Sequence, residues 1–264
     1  IEIPDSVTNV GNHAFANCSN LAEVKLSKGL ASIGWGAFYD CDSLTSIEIP
    51  KNLEKTGTYV SGSYEGVFNN CDNLKTVTFE EGTTKIVNDL FANCPGIEKI
   101  TIPDTVTEIQ YRAFYNCNNL QSVEFSKNLK YIRKEAFKGS GVTAAVLPDS
   151  MIELNTYSFA ECDKLAEVVL GTGLTKIPSY AFYGCGLLTD IELLPQIQSV
   201  EANAFSDPAN MTIYGITGTY AETYAKNVGA KFVNKKVSEP VEEKFTDVQQ
   251  GAWYVSAVQY AYDN

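Results

Sequence analysis

The most constraining feature of this chain is a phenylalanine that recurs at a nearly constant spacing. Nine such residues are separated by 22 or 23 positions, apart from one interval of 30. A period of this length indicates a solenoid, in which each repeat buries its apolar side only against its neighbours. The nine are Phe15, Phe38, Phe68, Phe91, Phe114, Phe137, Phe159, Phe182 and Phe205.

The repeat at residues 97–120, "IEKITIPDTVTEIQYRAFYNCNNL", shows how one unit is built. Its alternating pair Ile100 and Ile102 predicts a short strand with one face inward, and the proline that follows ends the strand. The segment Val106–Ile109 predicts a second extended stretch facing the core. The stretch around Phe114 is predicted to turn the corner as a short helical turn. Each turn of the solenoid is therefore expected to be mainly β.

The repeated pattern "LxxVxLPxxVxxIxxxAFxxCxxL" resembles the BspA-like leucine-rich repeat of bacterial surface proteins, over about residues 1–214. The resemblance implies a right-handed leucine-rich-repeat solenoid of about nine 23-residue repeats, mainly β with short helical turns. It also implies a parallel sheet on the concave face and a location on the outside of a bacterium.

The cysteines all occupy one slot, three residues after the recurrent phenylalanine. Two repeats carry Ser140 and Pro208 there instead, so the slot does not require sulfur chemistry. Disulfides between adjacent turns are within reach, but equivalent side chains point the same way, and zinc needs ligands that converge. The interpretation is a column of reduced, buried thiols, with no metal and no cofactor. The seven are Cys18, Cys41, Cys71, Cys94, Cys117, Cys162 and Cys185.

No catalytic residues are predicted. His13 is the only histidine, and its slot, two residues before the phenylalanine, holds such varied residues that an exposed position is expected. No G-x-S-x-G elbow or phosphate-binding glycine loop is found. Paired acids are the chemistry of glycoside hydrolysis, but among 32 acidic residues some close pair is unavoidable. We expect a protein that is not an enzyme.

One candidate for partner binding is an insertion. The second repeat gains seven residues, giving the Gly/Ser-rich stretch "GTYVSGSYEGV" with Tyr59 and Tyr64. Insertions in repeat proteins map to surface loops, often on the binding side, and tyrosine in such a loop is typical of recognition surfaces. A neutral insertion is the other interpretation.

The outward face of the strands is a second candidate. Most of its positions are polar, Glu124 and Glu192 among them, whereas Val146 and Val169 are adjacent apolar exceptions. A small exposed apolar patch can mark a contact site, although β-branched residues also simply suit strands. These four residues and the two tyrosines form the predicted partner-binding set.

Charge and hydropathy narrow the class of partner. The net charge is −12, and the chain has neither the basic stripe of a nucleic-acid binder nor a basic cluster for an anionic membrane. It also lacks a run of roughly 18 apolar residues, so membrane insertion is not expected. Because the chain starts within a repeat, the absence of a signal peptide carries no weight. We expect a monomer that binds a protein or a glycan.

The pattern changes after the last phenylalanine. Residues 215–234 are predicted to be a capping unit that closes the solenoid. Its helix should run from about Tyr220 to Val228, with Thr219 and Glu222 as a capping box, before a strand at 231–233. Residues 235–244 are charged and without apolar period, as in a linker.

Residues 245–264, "FTDVQQGAWYVSAVQYAYDN", resemble the opening of an S-layer homology motif. Such motifs anchor proteins to cell-wall polysaccharide. The half of the motif that carries the polysaccharide-contacting charges is missing here, so wall binding is expected only through the full region. The alternative is an amphipathic tail helix.

Together these features predict a non-enzymatic, extracellular recognition or adhesion module, associated with the cell wall of a Gram-positive bacterium. Long curved solenoids bind extended partners without chemistry. Two alternatives stay open at this stage. One is a structural spacer that holds other domains off the wall, and the other is a surface glycoside hydrolase.

Overall fold

The structure is a computed structural model that describes residues 1–57 and 66–235. Tyr59, Tyr64, most of the predicted linker and the predicted S-layer homology segment at 245–264 lie outside the described residues. The strands and helices follow in chain order. They are β1 Asn9–Val10, β2 Ser32–Ile33, β3 Ser46–Ile49, β4 Lys55–Thr56, β5 Thr76–Phe79, β6 Lys85–Ile86, β7 Lys99–Thr101, β8 Glu108–Ile109, β9 Ser122–Glu124, β10 Tyr131–Ile132, β11 Ala144–Val146, β12 Glu153–Leu154, β13 Glu167–Val169, β14 Lys176–Ile177, β15 Asp190–Glu192, β16 Ser199–Val200, a 3-10 helix Pro208–Asn210, β17 Thr212–Gly215, α1 Tyr220–Val228 and β18 Lys231–Asn234.

The strands form two rows of parallel sheet along the solenoid. The first row contains β3, β5, β7, β9, β11, β13, β15, β17 and β18, and the second row contains the two-residue strands. Pairing joins equivalent positions of successive repeats, as in Ile100 with Val123 and Ile132 with Leu154. The fold is thus a parallel β solenoid of about nine turns at 23-residue spacing, which confirms the predicted fold class.

Equivalent side chains form columns in the core. The recurrent phenylalanines from Phe15 to Phe205 stack ring on ring, with neighbouring centroids 5.0–5.8 Å apart. Seven of the nine rings, those of Phe38 through Phe182, are fully buried. Each ring therefore depends for its packing on the turns before and after it, as expected for a solenoid.

The corner segments differ from the predicted short helical turns. In the repeat around Phe114, the amides of Ala113, Tyr115 and Cys117 each donate to a carbonyl three residues earlier. These overlapping turns do not extend into a helix, because Arg112 and Asn116 have φ values of 53° and 54°. A left-handed residue interrupts a right-handed helix.

The same two slots are left-handed along most of the solenoid. The slot before the cysteine holds Asn, Asp or Gly in most repeats, the residues that tolerate positive φ best. The slot two before the phenylalanine is filled by His13, Asp89, Arg112, Glu135 and Tyr180 among others, all at positive φ. The expectation that this slot is exposed was wrong in the central repeats, where Arg112 and Glu135 are each only 7% exposed.

The cysteines form the expected column. All seven are free thiols, six of them buried and Cys18 partly exposed. In most repeats the Sγ contacts the carbonyl oxygen of the preceding turn's phenylalanine, at 3.0 Å for Cys71 and Cys117 and 3.1 Å for Cys162. The thiol thus acts as a weak donor between turns. Burial raises the pKa of Cys41 to about 11 and that of Cys117 to about 12.

The buried thiols are expected to be almost unreactive in the folded protein. The thiolate is the nucleophile, and a raised pKa leaves very little thiolate at neutral pH. Titration with a thiol-reactive dye should detect at most one thiol per native chain, that of Cys18, and all seven after denaturation. The Cys18→Ser variant is the control and should show none in the native state. Rapid native labelling of two or more thiols would contradict the buried column.

The C-terminal helix and strand match their predictions. Helix α1 spans Tyr220–Val228 and ends at Gly229, which has a φ of 76°. The predicted capping box was wrong in detail. The carboxylate of Glu222 accepts from the amide of Gly218, and the Thr219 hydroxyl donates to the carbonyl of Ile216. Among the residues described, no helix is long and apolar enough to cross a membrane.

Candidate binding surfaces

The outward-pointing residues of the first row of strands form a continuous surface, here called the strand face. Val146 of β11 and Val169 of β13 lie opposite each other in the parallel register. Their side chains are 58% and 44% exposed, among the most exposed large apolar residues described. The predicted apolar patch is therefore present in the structure. The residue before each valine, Ala145 or Val168, points inward and is buried.

The two predicted carboxylates flank this patch. Glu124 of β9 is exposed and accepts a hydrogen bond of 3.1 Å from the Thr101 hydroxyl on the neighbouring strand. Glu192 of β15 forms an ion pair of 2.6 Å with Lys235, and the Lys235 ammonium lies 5.4 Å from the centroid of the Tyr214 ring. The predicted residues thus share one face, but Lys235 and Tyr214 were not predicted as part of it.

A depression of about 370 Å³ lies at this end of the strand face. Its walls include Val169, Tyr214 and Lys235 together with Glu167, Asp190 and Glu192. Neither Glu167 nor Asp190 has an ion-pair or hydrogen-bond partner for its carboxylate among the residues described. An apolar floor edged by unpaired carboxylates suits a partner that carries positive charge.

The opposite end of the strand face has a different character. A depression of about 380 Å³ there is lined by both signs of charge, including Lys25, Lys28, Glu48 and Glu80. Lys25 pairs with Glu2 at 2.6 Å, and Lys51 lies 3.4 Å from Glu80. Because these charges largely compensate one another, this end has no comparable preference for a cation.

The predicted insertion lies outside the described residues, but its flanks are described. A Cβ at Gly57 would lie 2.6 Å from the backbone nitrogen of Trp35, so the chain leaves the solenoid in close contact with that residue. Trp35 packs edge-on against the His13 ring, with centroids 4.2 Å apart. The only histidine thus belongs to an aromatic cluster beside the insertion.

Charged groups at the turn corners form a cluster that sequence reasoning missed. Asp89, Arg112 and Glu135 occupy the same slot in three successive repeats, and the Arg112 guanidinium is hydrogen-bonded to the Glu135 carboxylate. The rings of Tyr111 and Tyr115 lie 4.9 and 4.7 Å from the guanidinium carbon. The sequence did contain a signal for this cluster, because residues of opposite charge occupy the same slot in repeats that are 23 residues apart.

Burial raises the pKa of Asp89 to about 6, although the Arg112 charge opposes the shift and Glu135 adds to it. Since this pKa lies above the unfolded value, the folded protein takes up a proton as the pH falls through about 6. Above that pH the ionised carboxylate lowers the free energy of unfolding. This loss of stability becomes smaller as the pH falls from about 6 towards 4, the pKa of the carboxyl in the unfolded chain.

Replacing Asp89 by asparagine is expected to raise the free energy of unfolding by about 2–3 kcal/mol at neutral pH and by almost nothing near pH 4. Urea denaturation at the two pH values measures the difference. Asp40→Asn is the matched control, because Asp40 is also left-handed, with a φ of 53°. An equal gain for both variants, or at both pH values, would show that backbone preference and not ionisation is responsible.

A second group missed by sequence reasoning is aromatic. Tyr157 and Tyr180 stack face to face at 4.6 Å in adjacent turns, and Tyr183 meets Tyr180 edge-on at 5.5 Å. The Tyr180 hydroxyl accepts a hydrogen bond from Asn203. These contacts join neighbouring turn corners, while Tyr183 itself is 42% exposed.

No group of three or more His, Cys, Asp or Glu side chains suited to a metal ion occurs within the described residues.

The family described as "BspA type Leucine rich repeat region" matches the chain in 6 copies, over residues 1–62, 64–166 and 130–227. The matches cover most of the solenoid and extend into α1. None of the curated proteins is significantly similar in sequence to this chain.

Solved structures of leucine-rich repeat proteins are similar in fold. One from Bacteroides ovatus is 22% identical, with a TM-score of 0.52, and the comparison covers 89% of this chain and 77% of that one. Another from Eubacterium ventriosum is 25% identical with a TM-score of 0.49, covering 68% of this chain and 44% of that one. The first supports the fold, and neither defines a ligand.

Proposed function

Because the chain belongs to the BspA-type leucine-rich repeat family, we propose that it is a non-enzymatic recognition module that binds a protein or glycan partner through the strand face. The observation that carries this proposal is the exposed pair Val146 and Val169, edged by the carboxylates of Glu167 and Asp190, which have no partner in residues 1–57 and 66–235. Exposed apolar side chains that lie side by side can mark a contact site.

We place this module on the outside of a bacterium, associated with a Gram-positive cell wall. The support is the family of its repeats and the resemblance of residues 245–264 to the opening of an S-layer homology motif. The module acts as a monomer, and adhesion follows from the partner that it binds.

The test is a binding screen of the whole chain against matrix glycoproteins and a glycan array. Three proteins are compared: wild type, the strand-face variant Val146→Ser/Val169→Ser and the insertion variant Tyr59→Ala/Tyr64→Ala. A partner whose binding is lost in the strand-face variant supports the proposal. Thermal unfolding of each variant checks that the fold is retained.

Two other outcomes would contradict parts of the proposal. A partner lost only in the insertion variant would move recognition to residues 58–65. The absence of any partner at tens of micromolar protein would favour the structural spacer, which predicts that every outward substitution is tolerated.

A further inference from the structure

The structure shows what kind of group the acidic end of the strand face accommodates. The Lys235 ammonium lies in the depression beside Val169, 2.6 Å from a Glu192 carboxylate oxygen and 5.4 Å from the Tyr214 ring centroid. Carboxylate plus aromatic ring is a favourable environment for an alkylammonium ion. The chain thus places one of its own lysines in this environment.

The environment has capacity beyond that lysine. Glu167 and Asp190 precede Val169 and Glu192 by two residues on the same outward face of their strands. Both line the same depression, and neither carboxylate has a partner within the described part of the chain. The apolar patch of Val146 and Val169 adjoins them. A ligand with ammonium groups next to aliphatic groups would match both features at once.

The bound lysine is held weakly enough to be displaced. The side chains of Lys235 and Glu192 are 51% and 40% exposed, and ion pairs as exposed as this one contribute little to stability. The position is nevertheless defined, because the backbone amide of Lys235 donates to the Gly215 carbonyl at 2.8 Å. Lys235 therefore occupies a site that a competing ammonium group could take over.

We infer that the acidic end of the strand face binds an extended protein segment in which lysines and aliphatic residues take turns at every second position, so that both kinds of side chain lie on one side of the segment. The lysine ammonium groups pair with Glu167, Asp190 and Glu192, and an aliphatic side chain packs on Val146 and Val169. In an extended segment, every second side chain points to the same side, so the residues between these positions face away from the strand face and can pack within the partner. This inference rests on the proposed function and names its partner class.

The test mixes the whole chain with a fluorescently labelled synthetic peptide that repeats Lys-Ser-Val-Ser, which places lysine and valine on the same side of an extended segment. Binding is followed by fluorescence anisotropy. The same peptide with every lysine acetylated is the uncharged comparison. Glu167→Gln/Asp190→Asn removes the two carboxylates without partners. Glu23→Gln/Glu48→Gln is the matched control, because it removes two exposed carboxylates from the other end of the same face.

The expected results are specific to the site. The Glu167/Asp190 variant should bind the peptide at least about fivefold more weakly than wild type, and the control variant within about twofold. The Lys235→Ala variant should bind about threefold more tightly, because it frees Glu192 and Tyr214 for the ligand. Acetylation of the peptide should abolish binding, and added salt should weaken it.

Several results would overturn the inference. Equal losses in the site and control variants would show a response to net charge alone. Weaker binding by Lys235→Ala, or no binding by wild type and Lys235→Ala, would exclude the site as described. The proposed function fails separately. If the screen finds a partner that still binds the Glu167/Asp190 variant, only the inference fails. If the screen finds no partner of any kind, both the inference and the proposed function fail.

Discussion

Replacing Phe114 by alanine is expected to lower the free energy of unfolding by about 3–5 kcal/mol. The ring is fully buried and stacks against Phe91 and Phe137 at 5.4 and 5.1 Å. Its removal leaves a cavity that the flanking turns cannot fill, because each is held in register by its own strands on both rows. The loss of aromatic contacts on both sides adds to the cost.

Urea denaturation of Phe114→Ala measures the effect, with Phe15→Ala as the matched control. Phe15 is only partly buried and stacks on a single ring, that of Phe38 at 5.1 Å, so its truncation should cost less than half as much. Equal effects at the two positions would contradict the view that each ring is stabilised by the turns on both sides.

The second large effect is expected for Arg112→Met, which should destabilise the fold by about 3–5 kcal/mol. The substitution keeps an apolar chain between the rings of Tyr111 and Tyr115 but removes the charge. Glu135, only 7% exposed, then loses its buried cationic partner and keeps only the exposed Lys134 ammonium, 3.5 Å from its carboxylate. The raised pKa of Asp89 shows that burial already disfavours a carboxylate at this corner.

A double-mutant cycle separates the charge from the packing. Adding Glu135→Gln to Arg112→Met should recover at least half of the lost free energy, because the neutral amide no longer leaves a buried charge that only the exposed Lys134 offsets. A single Arg112→Met variant within about 1 kcal/mol of wild type would show that the ion pair is already solvated. Additive effects of the two substitutions would exclude coupling between them.

Much of this fold follows from the sequence because in a solenoid local and global structure coincide. Phe114 packs on its equivalents one repeat away, so the period alone defines the core column. The alternation at Ile100 and Ile102 defines a strand and its inward face. Helix α1 was also predictable. A run of helix-forming residues that ends at Gly229 can be recognised without knowledge of any distant contact.

What the sequence concealed depends on relations between repeats. The left-handed conformations of Arg112 and Glu135 come from the closing of each corner, and the one signal for them is Gly36, which fills the same slot in another repeat and has a φ of 58°. Their burial as an ion pair requires that two slots 23 residues apart be aligned in space. The variety of residues in the slot two before the phenylalanine predicted that this slot is exposed. In the central repeats the variety instead reflects pairing between side chains of neighbouring turns.

The candidate site likewise has a part that the sequence predicted and a part that it did not. Val146 and Val169 were predicted because apolar residues interrupt a polar face. Lys235 was assigned to a linker on composition, yet its backbone continues the strand register and its side chain reaches Glu192, 43 residues away. A contact between the closing strand and an earlier repeat is visible only once the pairing of β17 and β18 is known.

The most direct test of recognition by the strand face is isothermal titration of the screened partner into wild type and the Val146→Ser/Val169→Ser variant, at matched concentration. We predict saturable binding to wild type and at least a tenfold loss in the variant, equivalent to about 1.4 kcal/mol. Equal affinities for two equally stable proteins would contradict the assignment of the strand face as the binding surface.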